Sequence, residues 1–205
     1  ALLRWLRARG AEGLEQLEKV DVLLRESMDY RDIRAPGKIK DDNGLLAQSE
    51  ESAERIGDVL EALNSANVQF DTSGSWAEQV SQLTADWEKL VSEDGYQSNI
   101  DPQFKYYQEF VQKVRALLSA TIETSGLGQD ASRENLLMLG LIREALPDAR
   151  DILGRARAFG GYALLEGQVG YNMSEVLNEV YDQLTNRASL FGPSLEVTLD
   201  ASPQL

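Results

Sequence analysis

The 205 residues carry 34 acidic against 20 basic side chains, for a net charge of −14 and a pI near 4.4. With no cysteine and no histidine, disulfides, thiolate nucleophiles and histidine-based dyads are excluded, and zinc, copper and haem lose their usual ligands. The acidic balance argues against a nucleic-acid partner, whose phosphates need a basic face.

A chain of this length fits one domain, residues 1–205, with a core of useful size. It holds no run of 18 apolar residues, the minimum for a helix that crosses a bilayer. The opening ALLRWLRARG has arginines where a signal peptide would be apolar, and its start without Met is expected of an excised segment.

Helical apolar spacing runs almost from end to end. Leu3, Leu6, Gly10, Leu17, Val20, Leu24 and Met28 recur mostly in steps of three and four, which predicts a long first helix. It is expected to end in RAPGKIKDDNG, where Pro36, Gly37 and Gly44 punctuate a loop. Ile56, Leu60, Leu63, Asn67 and Phe70 mark a second helix. After the turn DTSGS, Ser75 with Glu78 three residues on predicts a capping box. Trp76, Val80, Leu83, Trp87 and Leu90 carry the third stripe.

Asp101-Pro102 predicts an N-cap with proline in the first helical position. Phe104, Tyr107, Val111, Val114 and Leu118 follow it, up to the break SGLGQDAS. Leu139, Ile142, Leu146, Ala149, Leu153, Ala156, Gly160 and Ala163 continue a stripe through Pro147, where a kink is expected. Met173, Leu177, Val180 and Leu184 form the last stripe, expected to stop at Gly192-Pro193. The tail SLEVTLDASPQL alternates briefly. The fold class is therefore all-α: an elongated antiparallel bundle of about six helices, with seams near a 3.5-residue period.

Catalytic chemistry finds no support. Asp41-Asp42-Asn43-Gly44 resembles the start of a calcium loop, but the pattern fails at Leu45. A solvated loop fits better, and no metal or other cofactor is expected. Glu12, Glu15 and Glu18 read as the wet face of a helix. Gly126 and Gly128 read as a turn rather than a phosphate cradle. Gly160-Gly161 inside a stripe either allows close helix approach or marks a break. Arg25, Arg115, Arg143, Arg155 and Arg157, with Tyr106, Tyr107, Tyr162 and Tyr171, leave two options. They form an anion pocket between helices, or the arginines pair with the abundant acids while the tyrosines sit at the core edge.

The stretch SGLGQDASRENLLMLGLIREALPDARDILGRARAFGG, residues 125–161, resembles a segment of extracytoplasmic helical sensor regions in bacterial transmembrane receptors. These include methyl-accepting chemotaxis proteins and sensor kinases. Ser125, Leu127 and Asp130 fall on the family's S-x-L and Asp, Leu146-Pro147 on its Leu-Pro, and Arg157 on an Arg ten residues beyond. Ala131, Gly140 and Ala158 depart from its Pro, Asp and Gly, and Leu136-Leu137 from its paired tyrosines.

The resemblance implies two stacked four-helix bundles and a periplasmic domain of an inner-membrane protein, with flanking transmembrane helices outside this segment. The partner would be a small-molecule ligand, such as an organic acid, or a periplasmic binding protein, and a homodimer is expected. The implied role is binding without catalysis. Arg157 is the ligand contact implied by the family's Arg; Arg31, Tyr107 and Tyr162 are candidates from chemistry and helix face alone. The alternative is a soluble helical scaffold or adaptor.

Overall fold

The computed structural model describes residues 2–129 and 133–201. Its helices are α1 (Leu2–Lys40), α2 (Asn43–Asn64), α3 (Ser75–Glu93), α4 (Ile100–Ser125), α5 (Arg133–Gly140), α6 (Leu146–Glu166) and α7 (Tyr171–Ala201). A 3₁₀ turn, Leu127–Gln129, follows α4, and a π turn, Leu141–Ala145, joins α5 to α6 without a break. Six continuous helical stretches result, and no strand occurs among the described residues. The all-α bundle expected from the stripes is the fold observed.

Helices α1–α4 form an up-and-down four-helix bundle. Arg55 of α2 meets Glu26 of α1, and Gly37 of α1 abuts Leu45 at the start of α2. Helix α4 runs antiparallel to α1, with Gly13 against Ser125 at one level and Arg31 against Gln108 at another. Helix α3 lies antiparallel to α4: the Trp76 indole donates to Thr121 Oγ1 at 2.9 Å, and Trp87 packs on Phe110 at 5.1 Å. The stripe residues Ile56, Leu60, Leu63, Trp76, Val80, Leu83, Val111, Val114 and Leu118 are all buried in one shared core. Apolar burial of this kind supplies the main driving force, at about 25 cal/mol per Å².

Helix α6 lies along the face made by α1 and α4, and α5 packs against α7. Helix α6 runs parallel to α1, with Gly154 against Asp32 and Lys40 bonded to Glu166. It is antiparallel to α4, where Phe104 meets Phe159 at 5.3 Å and Arg115 pairs with Asp148. Helix α7 covers α6, antiparallel to it, through Arg155 and Glu179. Helix α6 flanks the length of α1 from Asp21 to Lys40, beside α2 and α4. The α6–α7 layer thus lies beside the four-helix bundle along α1.

Several boundaries differ from expectation. Helix α1 continues through Pro36 to Lys40. The last turns stay helical because Ala35, Pro36 and Gly37 are buried, and a Cβ on Gly37 would come within 2.9 Å of Leu45. The loop shrinks to Asp41 and Asp42. Asp41 takes a left-handed φ of 50°, and the Asp42 carboxylate accepts from Leu45 N at 2.9 Å, capping α2. The acidic cluster is a helix cap.

The expected capping box is absent. Gly74 occupies the N-cap of α3, and Asp71 Oδ2 instead accepts from Ala77 N at 2.8 Å. Helix α4 starts two residues early, capped by Asn99 Oδ1 on Ile100 N at 2.7 Å. Helix α7 passes through Gly192-Pro193 to Ala201, since a proline deletes one hydrogen bond but need not end a helix. Asp130 and Ala131 lie outside the described residues.

Candidate functional site

The last turns of α1 form a polar ridge tied to every neighbouring helix. Arg31 is fully buried. Its Nε donates to Asp32 Oδ1 at 2.8 Å, and its Nη1 donates to Gln108 Oε1 on α4 and to Asp151 Oδ1 on α6, the latter at 2.5 Å. The plane stacks on Phe104, 4.3 Å from the ring centroid. Nη2 lies 2.7 Å from Asp32 Oδ1 as an ion pair without hydrogen-bond alignment. Burial pushes the Asp32 carboxyl up to about 7 against the pull of Arg31. Gly154 of α6 closes over this pair: a Cβ there would sit 2.1 Å from Asp32 Oδ2 and 2.8 Å from Arg31 Nη2. Close approach is therefore the work of Gly154. A Cβ at Gly160 or Gly161 would meet nothing within 4 Å, and α6 runs unbroken through both.

One turn on, Arg34 reaches Asp94 through both carboxylate oxygens, at 3.1 and 3.0 Å, and also Ser49 and Glu50 of α2. Lys38 also bonds Asp94, and Tyr107 Oη lies 3.4 Å from it. Burial opposes ionisation of Asp94, yet the hydrogen bonds from Arg34 and Lys38 outweigh it and hold the carboxyl below its usual range. Asp94 is the left-handed C-cap of α3, with φ 37°, so this knot also fixes where α3 ends.

Lys40 ends the ridge. Its ammonium bonds Glu166 Oε2 and lies 5.3 Å from the Tyr162 ring centroid. Beside it is a cavity of about 400 Å³. Asn99, Ile100 and Asp101 line it from the start of α4, Phe159, Tyr162 and Glu166 from α6, and Tyr171, Met173 and Val176 from α7. The α6–α7 turn adds Gln168 and Gly170. That volume falls within the range of small-solute sites, about 300–1,000 Å³. The hydrogen bond from Lys40 holds Glu166 low. Burial raises Tyr162, with Glu166 adding to it.

The four candidate ligand contacts are not brought together. Arg157 is half exposed and donates to Asp29 Oδ1 at 2.8 Å, on the outer seam between α6 and α1. Arg31 is interior and engaged by its own chain. Tyr107 is buried beside Tyr30, ring to ring at 5.4 Å. Only Tyr162 lines the cavity, where Tyr171 joins it. Among the described residues no arginine pocket forms: Arg25, Arg115, Arg143, Arg155 and Arg157 each pair with an acid. Asp101, Phe159 and Glu166 were missed. They are separated in sequence, and only the α4 and α6 registers bring them together.

Among the described residues, no group of acids has the arrangement to hold a metal ion, and no helix is long and apolar enough to cross a membrane. Comparison with protein-family models, with curated proteins and with solved structures found no match.

Proposed function

We propose that this chain is a ligand-binding sensor domain of a bacterial transmembrane receptor, facing the periplasm. In this reading it binds a small solute between helices and answers with a helix displacement. One observation carries it: the 400 Å³ cavity lies between α4 of the four-helix bundle and the α6–α7 layer packed on that bundle. An occupant touches both bodies and so favours one relative placement of them, which is what a displacement signal needs. The direction of α7 supports the same reading, since it descends along α6 toward the end of the bundle where α1 begins.

A thermal-shift screen of organic acids, amino acids and amines tests solute binding, because a raised melting temperature requires binding to the folded form. Val176→Trp, which fills the cavity, is expected to abolish any shift. A shift unaffected by this variant removes the cavity from the proposal. Sequence beyond both ends tests the receptor context: an apolar run of about 20 residues on each side is expected, and polar sequence on both sides would sink it.

The second reading, a scaffold, is favoured by apolar residues exposed on the outer layer: Leu153, Leu164, Leu165 and Tyr181. It predicts concentration-dependent association lost on changing Leu153 and Leu164 to Ser, measured by light scattering.

A further inference from the structure

The cavity's lining has a definite chemical character. Its lining includes Asp101, Glu166, Tyr162, the largely exposed Tyr171, the buried Phe159 and Met173, with no basic side chain among the described lining residues. Carboxylate and aromatic face together select a cation that also has an apolar surface. The protein already contains an example of that recognition. The Lys40 ammonium is bonded to Glu166 and held against the Tyr162 ring. It is an alkylammonium, tethered by α1, sitting on two of the cavity's own groups.

The start of α4 opposes this, since a helix N-terminus carries about half a positive charge. That end is already answered by the Asn99 side chain on Ile100 N and by Asp101 in its first turn. Asp101 is also paired with Lys105 at 2.7 Å, but this lysine is largely exposed, so the pair is screened by water. Glu166 and the Tyr162 ring remain as the main recognition elements, with Asp101 and Tyr171 at the rim.

We infer that the cavity binds a small organic ammonium ion, which takes Glu166 and the Tyr162 ring from Lys40. The inference rests on the solute-binding reading above and adds to it a ligand class and a trigger. Lys40 is the last residue of α1, and Glu166 the last of α6. An ammonium ligand that replaces Lys40 on Glu166 unties the ends of these two parallel helices while bridging α6 to α7 and α4. Lys40 is then an internal competitor, and its removal strengthens binding.

Isothermal titration of the whole chain with putrescine, tetramethylammonium and succinate at fixed ionic strength tests this, with circular dichroism confirming helix content in each variant. Expected are binding of both ammonium probes, weakening with added salt, and no binding of succinate. Glu166→Gln is expected to weaken putrescine at least tenfold, and Lys40→Met to tighten it at least threefold. Tyr162→Phe should keep tetramethylammonium affinity within twofold, and Tyr162→Leu should lose at least fivefold, the signature of a ring face rather than an apolar wall. Succinate binding that Val176→Trp abolishes, with no ammonium binding, overturns the ammonium assignment and leaves solute binding in the cavity standing. No heat with any probe overturns the assignment; in that case, a hit for another solute in the thermal-shift screen keeps the wider reading and an empty screen removes it too. Ammonium binding that Lys40→Met weakens overturns the competition.

Discussion

The inner bundle α1–α4 and the outer layer α5–α7 use apolar residues at the same helical spacing, to different ends. In α3 and α4 the stripe read from sequence is the buried face: Trp76, Val80, Leu83 and Trp87, then Phe104, Tyr107, Val111, Val114 and Leu118. In α6 the expected stripe holds at Ala163 and fails at Leu153. Leu153 is 58% exposed, while Ile152, Gly154, Ala158 and Phe159 face the bundle. The π turn Leu141–Ala145 explains the shift. Its i→i+5 bond, Leu146 N to Leu141 O, takes in one extra residue, so the face after it is rotated by about 100° from the face before it. The inner bundle is built for a dry core. The outer layer touches it along a narrower seam, keeps Leu164 at 85% exposure, and leaves a cavity at the seam's end.

Perturbations of the two regions should separate them. The largest loss is expected from Trp76→Ala in the inner bundle, about 3–5 kcal/mol in denaturant unfolding, because a large buried ring leaves a cavity and the Thr121 hydroxyl loses its donor. A loss under 1 kcal/mol would mean the inner core is not the main source of stability.

Asp94→Asn comes next, at about 1.5–3 kcal/mol near pH 6, as it weakens charge-assisted bonds from Arg34 and Lys38. Because the folded carboxyl titrates below its unfolded value, its contribution is present above about pH 4 and fades as pH falls through the folded value. The gap between wild type and variant should therefore close in acid; a gap that widens contradicts the ion-pair knot.

Gly154→Ala acts on the joint between the regions, at about 1–3 kcal/mol. Its Cβ has no room beside Asp32 and Arg31. Hydrogen exchange should quicken in α6 and α7 with little change in α2 and α3, and uniform quickening would mean that the two regions open as one unit. Smallest is Leu153→Ala on the outer layer, within about 0.5 kcal/mol in a monomer; a larger loss in dilute protein would place Leu153 in a contact within the chain.

Fold class was legible because helical spacing is local, and α3 and α4 carry it without interruption. Boundaries were less so. Pro36 and Pro193 read as stops in the sequence, yet a proline ends a helix only when nothing holds the next turn, and Ala35 and Gly37 are packed inside. Asp71 capping α3 from four residues before it is an arrangement that no capping-box spacing reveals. Arg31 was a candidate ligand contact from chemistry and helix face alone; its partners Gln108 and Asp151 are 77 and 120 residues away, so no local pattern reveals them. The cavity was least legible. Its lining is drawn from α4, α6 and α7, and the α6 face depends on a π turn that heptad counting passes over.

The ridge on α1 also bears on axial registry. A stripe of leucines at steps of three and four looks nearly the same after a shift of one heptad, so apolar packing alone resists sliding weakly. Arg31, Arg34, Lys38 and Lys40 reach α2, α4, α6 and the C-cap of α3 at four heights along one helix. A slip of α1 by one turn, about 5.4 Å, would carry the buried Arg31–Asp32 pair away from Gln108 of α4 and Asp151 of α6, leaving interior charge without its outside partners. Helix α1 is thereby keyed like a notched shaft: it can tilt or turn with its neighbours, but it cannot slide past them unless those ties break.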